Sequence, residues 1–135
     1  MSDRFLDTNI LVYATLDDEA QDPRSAIAKA LISEGGAISI QVLNEFAHVT
    51  HRKLKHSWPE ISLAIEDFRE LLDEPRPLTV ATHEAALKIA DRDGFSFYDS
   101  LIVASALEAG CSTLLSEDMQ SGRVVDGLTI RNPFV

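Results

Sequence analysis

Arg4-Phe5-Leu6-Asp7-Thr8-Asn9-Ile10-Leu11 decides the fold. Arg4 to Asp7 carries two large apolar side chains in succession, as a short strand buried on both faces does. It stops at Asp7-Thr8-Asn9, all turn and cap formers, and Ile10 to Leu16 then reads as an apolar helix. A strand feeding directly into a helix opens an α/β fold. Asp17-Asp18-Glu19 and Asp22-Pro23 follow as a loop.

The alternation repeats along the chain. Arg24 to Glu34 is predicted as a helix with Ala26, Ile27, Ala30 and Leu31 on its inner face, closed by Gly35-Gly36. Ala37 to Ile40 is a second strand, and Val42 to Leu54 a helix with Leu43, Phe46, Ala47 and Thr50 inward. Ser57-Trp58-Pro59-Glu60 has the spacing of a capping box ahead of Ile61, Ala64, Ile65, Phe68, Leu71 and Leu72. Leu78 to Val80 is expected to be a third strand, and Thr82 the cap of a helix to Arg92. Ser96 to Ala109 is a helix apolar on most faces and therefore buried. Thr113 to Leu115 and Leu128 to Ile130 complete about five strands. Such alternation means a mostly parallel sheet between helical layers, a three-layer αβα sandwich.

Composition bounds the rest. The 135 residues form one predicted domain, 1–135, with 45% apolar content and 22 acids against 12 bases, a net charge of −10. Net negative charge argues against broad electrostatic attraction to nucleic acid. A lone cysteine, Cys111, excludes an internal disulfide framework and a Cys-rich zinc site. No apolar run is long enough for a bilayer, and Met-Ser-Asp-Arg lacks the layout of a signal peptide, so a soluble cytoplasmic protein without membrane attachment is expected.

In parallel α/β sheets, ligands bind beyond the carboxyl ends of the strands. Asp7 ends the first strand and Asp118 follows Leu114-Leu115-Ser116-Glu117. Asp99 opens the buried helix, and Glu45 sits in the first turns of the helix after the second strand. Alone, each has a bland reading: helix caps for Asp7 and Asp99, a solvated position for Glu45, a turn for Asp118. Together, four carboxylates at one sheet edge repel unless a cation compensates. Oxygen donors without nearby His or Cys favour Mg²⁺ or Mn²⁺ over Zn²⁺. That chemistry suits phosphodiester hydrolysis by metal-activated water.

Phe5-Leu6-Asp7-Thr8-Asn9-Ile10-Leu11 resembles the opening motif of PIN-domain proteins. Asn44-Glu45-Phe46, Phe97-Tyr98-Asp99-Ser100-Leu101-Ile102 and Leu114-Leu115-Ser116-Glu117-Asp118-Met119 resemble the later motifs, in order, and Asp126 to Phe134 resembles a common PIN ending. The stand-alone size is similar to VapC-type toxins of toxin–antitoxin pairs. The resemblance implies a Mg²⁺- or Mn²⁺-dependent endoribonuclease with one or two ions, an RNA substrate, a homodimer and a cognate antitoxin. By position it implies Asp7, Glu45, Asp99 and Asp118 as catalytic metal ligands, Thr8 and Ser116 as supporting hydroxyls, and Asn9 as the group orienting the first acid. Glu117 is an extra acid beside Asp118, and Asp118 is favoured as the one facing the metal.

His48, His51, Arg52, Lys53, Lys55 and His56 form the one basic stretch. It reads either as a solvated helix end or, through Arg52, Lys53 and Lys55, as an RNA-backbone contact. Trp58 is expected to anchor the following helix rather than to stack on a base. Other classes fit less well. A phosphoacceptor receiver domain has adjacent early acids and a Lys after its last strand, where this chain has Arg131. A haloacid-dehalogenase-like phosphatase needs Asp-x-Asp, and Asp7-Thr8-Asn9 ends in Asn. The remaining alternative is a PIN-like binding module with little or no nuclease activity.

Overall fold

The computed structural model describes residues 2–17 and 21–135; of the expected acidic loop, Asp18 and Glu19 lie outside the described residues. The elements run β1 (Arg4–Leu6), α1 (Thr8–Ala14), α2 (Pro23–Glu34), α3 (Ile40–Arg52), α4 (Trp58–Leu71), α5 (Val80–Asp93), α6 (Phe97–Glu108), β2 (Thr113–Leu115), β3 (Val124–Val125) and β4 (Leu128–Arg131). The sheet order is β1-β2-β4-β3. β1 pairs parallel with β2 (Leu6 opposite Leu115) and β2 parallel with β4 (Leu115 opposite Arg131), while β3 returns antiparallel to β4. The fold is α/β with a mostly parallel sheet, as expected.

The strands are buried on both faces. Phe5 and Leu6 point to opposite sides of the sheet, and both are fully buried; so are Leu114, Leu128 and Ile130. Helices therefore cover both sides. In α6 every residue from Ser100 to Ala106 is buried, which is why its apolar content runs round the helix instead of forming a stripe.

Among the described residues the sheet has four strands rather than five; the expected strand from Ala37 to Ile40 is reduced to two isolated bridges, and the one from Leu78 to Val80 does not form. Ala37 bridges Phe5, and Ser39 bridges Arg76, both parallel. Ile40, expected as strand, is already the first residue of α3, because Ser39 caps that helix by accepting from Val42 N. Leu78 to Val80 is not strand. Pro75 and Pro77 flank Arg76, and neither has an N–H to extend a ladder, so only Arg76 pairs: its N–H donates to Ile38 O and its carbonyl accepts from Ile40 N. Thr79, not Thr82, is the cap of α5; the two threonines form a reciprocal box in which Thr82 is the third helical residue.

One helix face is also rotated from expectation. The buried stripe of α2 is Ser25, Ala28 and Ile32, whereas Ala26, Ile27 and Ala30 are exposed. Periodicity alone fitted two neighbouring stripes, and packing against α1 selected the one with the smaller residues. The capping box of α4 forms as read, with Ser57 and Glu60 exchanging hydrogen bonds.

Candidate active site

The parallel pairing of β1 with β2 places the residues that follow them side by side. Asp7 N donates to Leu115 O at 3.0 Å, and Ser116 N donates to Arg131 O at 2.9 Å. Asp7 is 5% exposed and serves as N-cap of α1. Its Oδ1 accepts from Thr8 N at 2.7 Å and its Oδ2 from the Ser116 hydroxyl at 2.7 Å. Ser116 Oγ in turn accepts from Met119 N, which tightens the turn after β2. Asp7 is thus a helix cap, and being one does not take it away from the sheet edge where the candidate site lies.

Glu45 reaches in from the second turn of α3. Its Oε1 accepts from the Thr8 hydroxyl at 3.1 Å and its Oε2 from the Gln41 amide at 2.9 Å. Asp99 is not a cap. Ser96 caps α6 and accepts from Asp99 N at 3.2 Å; its side chain also hydrogen-bonds the Asp99 carboxylate, which lines the cleft. Asp118 Oδ2 accepts from the Asn9 amide at 2.6 Å. Asn9 therefore orients the last acid, where the resemblance had assigned it to the first. Asn9 lies in the same first turn as Asp7, but its side chain reaches the loop after β2.

Glu117 is directed elsewhere. Tyr13 donates its hydroxyl to Glu117 Oε1 at 2.6 Å, and Arg24 Nη1 donates to both Glu117 oxygens at 3.2 and 3.1 Å. Arg24 is held by Asp22 and lies over the Tyr13 ring, 4.2 Å from its centroid. Asn9 and Tyr13, four residues apart on α1, thus grip the consecutive acids Asp118 and Glu117. This clamp fixes the loop and separates the two acids.

The acids sense one another. Burial, then the charges of Glu45 and Asp99, push Asp7 up to about 6 against the opposing pull of its hydrogen bonds to Ser116 and Thr8. Burial also raises Glu45, with Asp99 and Asp118 adding to it. Asp99 is raised by burial and by Asp118. Among the described residues no three His, Cys, Asp or Glu side chains draw together as one formed ligand cage; the four acids face one another at the range of charge repulsion, not of joint ligation. Between α3 and the start of α6 lies an open cleft of about 560 Å³, lined by Gln41, Asn44, Glu45, His48, Tyr98 and Asp99.

The donor set fits a hard divalent cation. Every candidate ligand is a carboxylate oxygen, the donor type that a hard divalent cation takes. Gln41 was missed by the sequence reading, although its spacing of four residues from Glu45 would have found it. Arg52, Lys53 and Lys55 lie exposed at the far end of α3, beyond the cleft.

The sequence matches the PIN domain family over residues 4–125. The chain belongs to the PIN domain family. Among solved structures it is similar to VapC20 of Mycobacterium tuberculosis, a toxin that cleaves the sarcin–ricin loop, at 21% identity and a TM-score of 0.69, covering 85% of this chain and 89% of that one. VapBC2 of Rickettsia felis, solved on a DNA fragment from its promoter, matches at 21% identity and a TM-score of 0.64 over 96% and 97% of the two chains. At such identity these likenesses establish the PIN fold. No curated protein sequence matches the chain significantly.

Proposed function

We propose that this PIN-domain chain is a Mg²⁺- or Mn²⁺-dependent endoribonuclease and the toxin of a toxin–antitoxin pair. The observation that carries the reading is four carboxylates within electrostatic reach of one another: Glu45 and Asp99 line the cleft, Asp7, Glu45 and Asp118 each accept a side-chain hydrogen bond, and Asp7, Glu45 and Asp99 are raised above their ordinary range. Its PIN similarity to one toxin that cuts RNA and to one member of a VapBC pair supports it further.

Asp7, Glu45, Asp99 and Asp118 would hold one or two ions. A divalent ion at such a site lowers the pKa of water and offsets charge at a phosphate. The chain's own part is orientation. Ser116 and Thr8 fix the rotamers of Asp7 and Glu45, Gln41 holds the second Glu45 oxygen, and Asn9 holds Asp118. The products are those of phosphodiester hydrolysis, with water adding to phosphorus as a ribose oxygen leaves. A cognate antitoxin, a homodimer of this chain and a cytoplasmic site of action belong to the same reading.

The test is incubation of purified protein with total cellular RNA, with Mg²⁺, with Mn²⁺ and with chelator, followed by mapping of new 5′ ends. Divalent-dependent ends that vanish with Asp7→Asn are expected. RNA binding without new ends would make the chain a PIN-like binding module instead.

A further inference from the structure

The basic stretch and the acidic cleft lie on one helix. Glu45 and Arg52 are seven residues apart on α3, two turns along the same face, which separates them by about 10 Å. His48, between them, lines the cleft. Past Arg52, Lys53 caps α3, and Lys55 takes a left-handed conformation (φ 62°) that turns the chain toward α4. No acid occurs from Phe46 to Pro59, in a chain with 22 of them. Arg52, Lys53 and Lys55 are all exposed, and among the described residues none has a carboxylate within ion-pair distance.

At the same corner stands an aromatic platform. Trp58, the first residue of α4, stacks on His51 with ring centroids 3.6 Å apart and planes inclined by 15°. The His51 ring is fixed from its edge by a 3.0 Å hydrogen bond between Nδ1 and His56 O. Trp58 nevertheless remains 58% exposed. It holds the start of α4 against the end of α3 from the surface rather than from the core. Its ring is held rigid by a neighbour on one side while much of its surface faces solvent.

We propose that this corner is a grip for single-stranded RNA, in which an unpaired base stacks on Trp58 while Arg52, Lys53 and Lys55 hold the flanking phosphates. Cations meet phosphate, and a rigid exposed indole meets a base of any sequence. A duplex keeps its bases stacked inside and cannot use the indole. Helix α3 then leads the strand from the grip to the acids. This rests on the nuclease reading and deepens it: the substrate class is RNA with an unpaired segment next to the cut.

Trp58 is the chain's one tryptophan, so its fluorescence reports the grip alone. The probe is an unstructured oligoribonucleotide titrated into the full-length Asp7→Asn protein in Mg²⁺, with a duplex of the same length as control. The expected result is quenching of Trp58 emission by the single strand and none by the duplex. Trp58→Ala should weaken binding about tenfold by fluorescence anisotropy of labelled RNA, with Trp58→Phe restoring part of it. Replacing Arg52, Lys53 and Lys55 together with Ala should lower the slope of log affinity against log salt by about 2. RNA that binds with unchanged Trp58 emission and an unchanged salt slope would overturn the grip, as would failure to bind the single strand. Cleavage by the wild-type protein, assayed separately, tells whether the nuclease reading falls with it.

Discussion

Asp7 concentrates the conflict on which the site depends. It is buried, accepts two hydrogen bonds and faces two other acids, and the balance leaves it raised to about 6. An acid whose folded pKa exceeds its unfolded value near 3.8 binds more protons in the folded state between those limits. Its contribution to stability is therefore best below pH 4 and is lost as pH rises through 6. Without divalent ions, urea denaturation should show a lower stability at pH 7.5 than at pH 5, with about 1–1.5 kcal/mol of the difference from Asp7. Asp7→Asn should flatten that dependence, stabilise the ion-free protein at neutral pH and abolish cleavage. The neighbouring acids should behave in opposite ways. Glu117→Ala strands the Tyr13 hydroxyl and one side of Arg24, so it should cost about 1–2 kcal/mol in thermal or urea unfolding. Asp118→Ala should cost less stability and remove activity. Sequence favoured Asp118 over Glu117 but could not show what holds Glu117, because its partners Tyr13 and Arg24 are 104 and 93 positions away. The four acids themselves were legible, since strand ends and helix starts sit at a fixed edge of a parallel sheet.

At the scale of elements, caps do much of the positioning. Ser96 caps α6 and hydrogen-bonds Asp99, which lines the cleft from the third helical position. Ser96→Ala should cost about 1 kcal/mol of stability and lower activity by more than that loss explains, whereas Ser57→Ala, at the box of α4, should cost a similar amount and leave catalysis unchanged. Gly36 is constrained by its neighbour: a Cβ there would lie 2.9 Å from Leu6 Cγ. Gly36→Ala should destabilise by about 1–3 kcal/mol, measurable by denaturation, because Leu6 is fully buried in the strand that delivers Asp7. The six helices of the described residues could be read from sequence through apolar runs, periodicity and cap or stop residues, although the inner face of α2 and the cap of α5 were not. The strands β1, β2 and β4 were legible too, but the shortest pairings were not. Ala37 and Arg76 each contribute one bridge, and Val124–Val125 forms a two-residue strand, too short for any periodicity to register.

For the molecule as a whole, the net charge of −10 looked like an argument against nucleic acid. Its distribution changes that. Glu45 and Asp99 line the cleft, and the acid-free run starts at Phe46, directly after Glu45, and continues past the end of α3 at Arg52 to Pro59 in α4. The resulting dipolar surface is suited to receiving phosphate at one end and cations at the other. The number of strands, the rotated face of α2 and the exposure of Trp58 were not legible, because each is settled by which elements pack together rather than by local pattern. The central claim, that these four carboxylates form a divalent-ion site, is tested most directly by calorimetric titration of Mn²⁺ into the purified chain. The account predicts saturable binding, a thermal stabilisation of about 2–3 kcal/mol at a hundredfold excess over the dissociation constant, and loss of both in Asp7→Asn. Absence of binding, or equal binding by Asp7→Asn, would contradict it.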